Sequence, residues 1–332
     1  MRVTLSPMSP REPELRHVRD AAAAHSELLA ETAAGLTADE PWIPSSWLYD
    51  AHGSALFERI TEQPEYHLSR AERSLLETHA EEIAAATRAE TVVELGAGTA
   101  RKTRILLHAL AAGGTLRTFV PVDIDADTLR ATIATLAEEL PELGLTAIVG
   151  DFARDLEAVP DGRRLVVFLG STLGGLDGDG RARTLAAAHH AAARDGWFLV
   201  GIDLVRDPER VGAAYADAAG VSAAFVGNVL TVLNRELGAD FQPRAYAHVT
   251  RWDERSHVMR TGLETLAPAV VQIPALELEL RLEPGTFLRT GLSLKFDRAL
   301  LEGELRAAGF ALEGWWADER GEYGLALARP RR

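Results

Sequence analysis

Cysteine is absent from the 332-residue chain, and lysine is almost absent. Without cysteine, the chain has no disulfides, thiol nucleophiles or cysteine-bound zinc. Of the 35 basic residues only Lys102 and Lys295 are lysines, which leaves 33 arginines. Because arginine is the default cation in this chain, we expect each lysine to mark a site that needs a compact ammonium group.

Long apolar runs are also missing. No run reaches the roughly 18 residues of a membrane-spanning helix, and the N-terminal stretch lacks the apolar core of a signal peptide. We therefore expect a cytoplasmic protein that does not bind membranes. The formal net charge of −14 argues against a basic, phosphate-neutralising face for nucleic acid. Hydrophobic residues make up 47% and charged residues 25%, an ordinary globular composition that fits one large domain or two smaller ones.

Apolar, β-branched segments alternate with helical patterns in the middle of the chain. The predicted strands are 91–95, 118–123, 145–149, 164–170 and 197–204, and the helices between them are 101–112, 126–139 and 179–193. Continuous apolar strands separated by helices predict an α/β fold, with a parallel sheet covered on both faces. The chain returns to this pattern at its end, with a predicted helix at 298–309 and strands at 310–317 and 322–328.

The flanking regions have a different character. Residues 14–36 predict a helix, and a second helix is expected from Ser69, which has capping-box spacing to Glu72, to about residue 88. Residues 207–240 read as helical, and residues 246–296 contain three stretches of period two. We therefore expect an α/β domain of 70–205 plus 296–332, a second domain of 14–69 plus 206–295, and a flexible N-terminus of residues 1–13.

A glycine turn follows the first predicted strand in the segment Glu94-Leu-Gly96-Ala-Gly98. Glycines at such a turn let backbone N–H groups approach a ligand closely. The spacing is not that of a P-loop, and Arg101 stands where the dinucleotide fingerprint has its third glycine. The turn instead resembles the E/D-x-G-x-G loop of class I S-adenosylmethionine (SAM)-dependent methyltransferases.

Later strand ends fit the same resemblance. Asp123 ends the second strand, where a carboxylate can take both ribose hydroxyls, and Asp151-Phe152 follows the third, where the pair can hold adenine. Ser171 follows the fourth strand, beside the expected position of the reactive methyl. These ends meet at one edge of a parallel sheet, where such folds bind ligands. The predicted SAM contacts are Glu94, Gly96, Gly98, Lys102, Asp123, Asp151, Phe152 and Ser171.

Longer segments resemble one family, the L-histidine Nα-methyltransferases of the ergothioneine pathway, which trimethylate the α-amine of histidine with SAM. The segments that carry the resemblance are WLYDAHGSALFERITEQPEYHLSRAE, VELGAGTARKTR, FLGSTLG, YADAAGVSAAFVGNVLTVLNREL and LSLKF. The resemblance runs from about residue 41 to 329. It implies a Rossmann-like methyltransferase domain and a substrate domain formed by the N-terminal part and the central insertion.

The resemblance also implies a substrate site. Tyr49 matches the tyrosine near the reacting amine, and we expect it to be the catalytic residue. Tyr66 and Tyr215 match tyrosines that hold the amine and carboxylate end of the substrate, and Ser293 matches a serine that bonds the imidazole. Lys102 is expected to reach the SAM carboxylate or to brace the glycine turn.

Three positions depart from the family pattern. Gly175 stands where the family has an asparagine that fixes the amino acid, and Gly291 stands where it has a glutamate that pairs with imidazole. Thr261 stands where a methionine lines the pocket. A hydrogen bond to a charged group contributes about 1.5–3 kcal/mol. We therefore expect weaker binding of histidine and more room in the pocket.

These observations leave three hypotheses. We favour a SAM-dependent N-methyltransferase acting on an amino acid or related small amine, with histidine no longer the assured substrate. An aromatic amino acid or a natural-product amine fits the enlarged pocket. The alternative is a genuine histidine Nα-methyltransferase whose anchors are replaced, for example by Arg289 or His67. The third is a SAM-binding protein without catalysis. We expect a small-molecule amine as partner, a monomer, and no metal, since the ten histidines lack HExxH spacing.

Overall fold

A computed structural model describes residues 13–18, 20–156, 159, 162–205 and 208–331, so nearly all of the predicted flexible N-terminus lies outside the described residues. The α-helices of this part are α1 (Ala21–Leu36), α2 (Ala51–Thr61), α3 (Leu68–Thr87), α4 (Thr103–Ala112), α5 (Ala126–Glu139), α6 (Gly178–Ala192), α7 (Pro208–Tyr215), α8 (Val221–Leu237) and α9 (Arg298–Ala307). Short 3-10 helices lie at Ser45–Leu48, Thr172–Gly175, Pro243–Ala245 and Pro274–Leu276.

The strands form three sheets. They are β1 (Glu14–His17), β2 (Thr91–Leu95), β3 (Thr118–Asp123), β4 (Gly144–Val149), β5 (Arg164–Phe168), β6 (Trp197–Asp203), β7 (Tyr246–Asp253), β8 (Val258–Thr265), β9 (Ala269–Ile273), β10 (Leu278–Leu282), β11 (Phe287–Leu294), β12 (Phe310–Ala317) and β13 (Tyr323–Pro330).

The largest sheet has the order β1-β4-β3-β2-β5-β6-β13-β12. Strands β1 to β6 run parallel, whereas β13 pairs antiparallel with both β6 and β12. The chain crosses from one half of the sheet to the other after β4, so the carboxyl ends of β2 and β5 flank the point where ligands bind in open α/β sheets. The predicted class I, Rossmann-like α/β fold is confirmed.

Alternating strand residues divide the core into two layers. Val92 and Leu165 pack with the helices on one face of the sheet, and their neighbours Val93 and Val166 pack on the other. All four side chains are fully buried. Burial on both faces explains why these strands read as continuous apolar runs in the sequence.

The central insertion forms smaller sheets. Strands β11, β8 and β7 make an antiparallel sheet, with a bulge between Arg289 and Gly291, and β9 and β10 form a hairpin. A third apolar cluster joins this sheet to α2 and α8, with Leu263 and Leu288 from the sheet and Val229 and Leu233 from α8. The three predicted period-2 stretches are five strands in the structure.

Several sequence predictions at the flanks are wrong in detail. Residues 14–17 are not helical but form β1, which pairs with β4, and the helix begins at Ala21. Helix α3 begins at Leu68 without a side-chain cap, so the Ser69–Glu72 capping box is absent. The region predicted to be helical from residue 207 contains two helices, α7 and α8. Asp217 accepts hydrogen bonds from the first N–H groups of α8 and so caps the start of the second helix.

The described residues contain neither a membrane-spanning helix nor a metal-binding cluster. No helix there combines the length and apolar character needed to cross a membrane. No group of three or more histidine, aspartate or glutamate side chains among them is arranged to hold a metal ion. The division of the chain into two domains stays a prediction.

Candidate active site

The turn after β2 leaves an open space beside its backbone. Gly96 has φ +67° and Gly98 has φ +49°, conformations that favour glycine. A Cβ built on Gly98 would have nothing within 4 Å. Asp123 fixes the turn, because the N–H of Gly98 donates to Asp123 Oδ2 at 2.8 Å. A ligand can therefore approach the backbone without meeting a side chain at this position.

Asp123, predicted to bind ribose, lies at the carboxyl end of β3 and braces the turn. Its Oδ1 accepts from the N–H of Asp125 at 3.1 Å, while Oδ2 holds Gly98. Burial raises the pKa of Asp123, although its backbone hydrogen bonds oppose the shift. The next side chain, Ile124, is 58% exposed. An exposed isoleucine beside the turn offers an apolar surface that the sequence analysis missed.

Glu94 is a buried carboxyl with one unused oxygen. It is 4% exposed, and its Oε1 accepts from the Thr103 hydroxyl. Its Oε2 is buried and has no hydrogen-bond partner among the described residues. Burial raises the pKa of Glu94 to about 8. A buried, unsatisfied oxygen is costly, so this carboxyl, two residues before Gly96, suits a polar group brought by a ligand.

The predicted adenine contacts lie on the other side of the turn. The ring of Phe152 packs against Phe168, with ring centroids 5.1 Å apart. A Cβ on Gly96 would lie 3.7 Å from the Phe152 ring, so the ring stands directly beside the turn. Asp151 uses Oδ1 to accept from the N–H of Ala153 at 2.8 Å. The structure thus brings Phe152 to the turn, while the Asp151–adenine contact stays a prediction.

Ser171 follows β5 and has φ +57°. Its Oγ accepts from the N–H of Asp203 at 2.9 Å, at the end of β6. This hydroxyl ties two strand ends together. Its predicted contact with the cofactor remains a prediction.

Glu72 is a site residue that the capping-box prediction misplaced. Its carboxylate is fully buried and accepts from the N–H of Gly170 at 2.8 Å and from the Tyr323 hydroxyl at 2.5 Å. It also pairs with Lys102, at the start of α4. One carboxylate therefore joins α3, the loop after β5, the glycine-turn helix and β13. This contact makes Lys102 a brace of the turn, which is one of the two roles expected for it.

The three predicted substrate tyrosines converge. Burial raises the pKa of Tyr49 to about 12, and Tyr215 and Asp123 contribute to the shift. Burial likewise raises the pKa of Tyr66 well above its usual value, with contributions from Tyr215 and Tyr49. The Phe57 ring contacts both Tyr49 and Tyr66, with centroid distances of 5.7 and 6.4 Å, so these two phenols lie close together.

Tyr49 is held in place by aromatic rings and by the residue that follows it. Its ring makes edge contacts with Phe57 and Phe225 at 5.7 and 5.5 Å, yet 43% of the side chain is exposed. Asp50 caps α2 through the N–H of Gly53 and accepts from Asn228 Nδ2 at 2.8 Å. Asn228 therefore serves as scaffold for the tyrosine. The ring is thus partly accessible from solvent, although burial raises the pKa of its hydroxyl.

The two substituted anchors lie beside the small sheet. Gly291 pairs with Thr261, and a Cβ on Gly291 would lie 3.1 Å from the Thr261 methyl. A Cβ on Gly175 would meet only the carbonyl oxygen of Leu292, at 3.8 Å. The 3-10 helix that ends at Gly175 therefore packs on the same strand, β11, that carries Gly291 and Ser293. Gly175 therefore leaves room beside β11, whereas a side chain at Gly291 would crowd the Thr261 methyl.

Ser293 belongs to a buried cluster around the second lysine. Lys295 Nζ donates to Asp203 Oδ2 at 2.5 Å, to the Tyr215 hydroxyl at 2.7 Å and to Ser293 Oγ at 2.8 Å. Burial alone would lower the pKa of Lys295, but the nearby Asp203 and Tyr215 raise it overall. Both lysines of the chain thus lie against buried carboxylates, which fits the specific sites expected for them.

The side chains suggested as replacement anchors lie elsewhere. The Arg289 guanidinium stacks on the Trp42 ring at 5.5 Å, and its residue pairs with Gly262, one step from the Gly291–Thr261 pair. The Arg289 side chain therefore extends from the face of the sheet opposite to that of Gly291. His67 Nε2 lies 4.0 Å from a carboxylate oxygen of Glu322 at the start of β13.

A different histidine lies on the face of Gly291. His248 Nε2 is 3.3 Å from the Thr261 hydroxyl, and both are half-buried. Burial lowers the pKa of His248, although the charge of Asp217 opposes the shift. Sequence reasoning missed this residue because only the cross-strand register brings it to the site.

These residues fit SAM. Glu94 offers a buried carboxyl oxygen without a partner among the described residues, the Gly98 backbone is open, and Phe152 and Ile124 supply apolar surface beside the Asp123 carboxylate. Bound there, SAM would supply a methyl carbon made electrophilic by its sulfonium. The individual contacts remain predictions.

Comparison with known proteins gives matches over nearly the whole chain. The family model described as histidine-specific, SAM-dependent methyltransferase matches residues 28–330. Histidine N-alpha-methyltransferase of Mycolicibacterium smegmatis is 43% identical over 302 residues, 91% of this chain and 94% of that protein. The Mycobacterium tuberculosis protein of the same description is 42% identical over 307 residues, 92% of this chain and 96% of that protein. A solved SAM-dependent methyltransferase from Clostridium acetobutylicum has a TM-score of 0.48 and 11% identity, covering 84% of this chain and 99% of that chain.

Proposed function

The chain belongs to the histidine-specific, SAM-dependent methyltransferase family, and from this premise we propose that it methylates the α-amine of L-histidine. That it is a SAM-dependent N-methyltransferase follows from the family, and the predicted enzyme and cofactor are confirmed. The hypothesis of a SAM-binding protein without catalysis is set aside. The family supports histidine better than the other amines that the two glycines suggested.

Three polar side chains, on a face of the small sheet that also carries the buried Leu263 and Leu288, are the observation that supports histidine as the acceptor. In the register of β7, β8 and β11, Ser293, Thr261 and His248 all lie on the face of Gly291. They offer two hydroxyls and an imidazole whose lowered pKa keeps it neutral at pH 7. An imidazole side chain has two nitrogens that require hydrogen-bond partners, and these side chains can supply them, whereas a purely apolar ring would use none of them.

The tyrosines define the amine end. A pKa of about 12 keeps the Tyr49 hydroxyl protonated throughout the physiological range, so it orients the amine without acting as a base. The amine must be neutral to attack, and the α-amine of a peptide has a pKa of roughly 8. We assign Tyr49 the task of fixing the lone pair along the line of transfer, where alignment supplies most of the rate. Tyr66 and Tyr215 complete the enclosure of the amine and carboxylate.

The test is methyl transfer by the full chain with SAM and a panel of amino acids. We expect histidine to have the highest kcat/KM, and NMR of the product to place the methyl groups on the α-nitrogen. Methylation confined to a ring nitrogen, or preference for an amino acid without a polar ring, would overturn the proposal.

A larger aromatic amino acid such as tryptophan is the second candidate. The open position at Gly175, where a Cβ meets nothing closer than 3.8 Å, favours a bulkier acceptor. A kcat/KM for tryptophan above that for histidine in the same panel would select it.

A further inference from the structure

The buried lysine next to the pocket has no assigned task. Lys295 is fully buried, and its ammonium group touches Tyr215 and Ser293, the two hydroxyls expected to hold opposite ends of the amino acid. Its third partner, Asp203, is 1% exposed. An ammonium has three N–H donors and no acceptor, so these three contacts use all of its hydrogen-bonding capacity.

This geometry settles which way the hydroxyl protons point. A hydroxyl has one O–H donor and two lone pairs. Because the lysine occupies a lone pair of Tyr215 and another of Ser293, neither hydroxyl can donate toward it. Each O–H is therefore free to donate away from the lysine. Tyr215 is half-buried and Ser293 lies on the face of Gly291, so both donors can face the pocket.

We propose that Lys295 is a positioning residue that sets the hydrogen-bond polarity of the substrate site, so that Tyr215 and Ser293 both donate to the amino acid. The inference rests on the proposed function. Tyr215 then recognises an anionic carboxylate, and Ser293 recognises an unprotonated ring nitrogen. A pocket polarised in this way selects an amino acid with a neutral, nitrogen-bearing ring.

The charge pair with Asp203 is what keeps the ammonium in this place. Taking an ammonium out of water is costly unless a carboxylate compensates it, and removing one partner of such a pair is strongly destabilising. Lysine suits the position better than arginine, because its three donors radiate from one point whereas a guanidinium presents a planar fork. This difference gives a reason for one of the two lysines in an arginine-rich chain.

A double-mutant cycle tests the assignment. The paired variant Lys295→Met with Asp203→Asn removes both charges together and leaves no buried ion unpaired. The measurements are the Kd of the amino acid in the presence of S-adenosylhomocysteine, the KM and kcat, and the Kd of S-adenosylhomocysteine itself. The same replacement is then made in a Tyr215→Phe, Ser293→Ala background.

We expect the paired variant to weaken amino-acid binding by about tenfold, the loss of one or two hydrogen bonds, with cofactor affinity within about twofold. In the background without the two hydroxyls, the same replacement should change binding by less than about twofold. An equal loss in both backgrounds, or no loss in the first, would overturn the proposal, since a merely structural role is additive.

If the paired variant does not fold, the single variant Lys295→Arg provides a second test of the proposal. It keeps the charge beside Asp203, and we expect weaker amino-acid binding with a maintained melting temperature. Unchanged binding would contradict the proposal. Wild-type preference for histidine is measured separately. If another amino acid is preferred, the proposed function fails, while the cycle on that amino acid still tests Lys295 through the carboxylate contact with Tyr215.

Discussion

Restoring the two polar anchors is expected to raise the affinity for histidine. Gly291→Glu places a carboxylate on the face of Thr261, Ser293 and His248, and Gly175→Asn places an amide across from it. Neither glycine has a positive φ, so the backbone accepts both side chains. A Cβ at 175 has free space, while a Cβ at 291 requires the Thr261 methyl to shift by a few tenths of an ångström from its 3.1 Å approach.

The size of the gain follows from the contacts made. A hydrogen bond to a charged group is worth about 1.5–3 kcal/mol, or roughly 10- to 100-fold in affinity. We expect the crowding at Thr261 to reduce the gain from Gly291→Glu toward the lower figure. The glutamate contacts only the ring and should favour histidine alone, whereas the asparagine contacts the α-amino-acid end and should favour every amino acid tested.

The assay is kcat/KM for histidine, tryptophan and phenylalanine with saturating SAM. Gly303→Glu, on the exposed face of α9 where a Cβ meets nothing within 4 Å, controls for the added side chain and charge. No gain for histidine in the double variant, with cofactor affinity and melting temperature intact, would refute the placement of positions 175 and 291 at the amino acid.

Three further predictions concern the amine and the cofactor turn. Tyr49→Phe should lower kcat by about tenfold or more, because one orienting hydrogen bond is lost. Tyr246→Phe is the control and should leave kcat unchanged, since the buried Tyr246 hydroxyl has no hydrogen-bond partner among the described residues. Equal effects of the two substitutions would contradict the role of Tyr49. In the wild-type enzyme, kcat/KM should rise with pH as the substrate amine loses its proton. It should not fall again below pH 10, since the Tyr49 phenol has a pKa of about 12. A decrease in kcat/KM near pH 9 would argue against this role of Tyr49. Glu94 has a pKa near 8 when folded and an ordinary value of 4.5, so the folded protein binds the extra proton between these values. The ligand-free protein should therefore lose stability, by up to about 5 kcal/mol, as pH rises through that window. Glu94→Gln should flatten that loss in melting temperature between pH 5 and 8, and an unchanged slope would contradict it.

The sequence predicted the centre of the fold well because local signals define it. The strand–turn–helix around Gly96 and Gly98 combines a buried apolar run with a short glycine spacing, and the structure reproduces it within two residues. The strand at Glu14–His17 was missed because it has four residues at a sheet edge and exists only by pairing with β4, more than 120 residues away.

The site was predicted less completely because its chemistry depends on long-range contacts. Glu72 has capping-box spacing, but Lys102 and the buried Tyr323 attract its carboxylate away from the helix end. His248 reaches the pocket face through the register of three strands, and a bulge in β11 sets that register at Gly291. No local pattern encodes such a bulge.

The pair Lys295–Asp203 also has a consequence for unfolding. Asp203 ends β6 of the eight-stranded sheet, and Lys295 follows directly after β11 of the three-stranded sheet. Backbone hydrogen bonds from Phe296 to Asp203 and from Val205 to Phe296 join the same two segments. If one sheet melted alone, the charge held by the remaining sheet would lose its partner, so that intermediate is strongly disfavoured. The insertion and its host sheet should therefore melt cooperatively, in a single calorimetric transition.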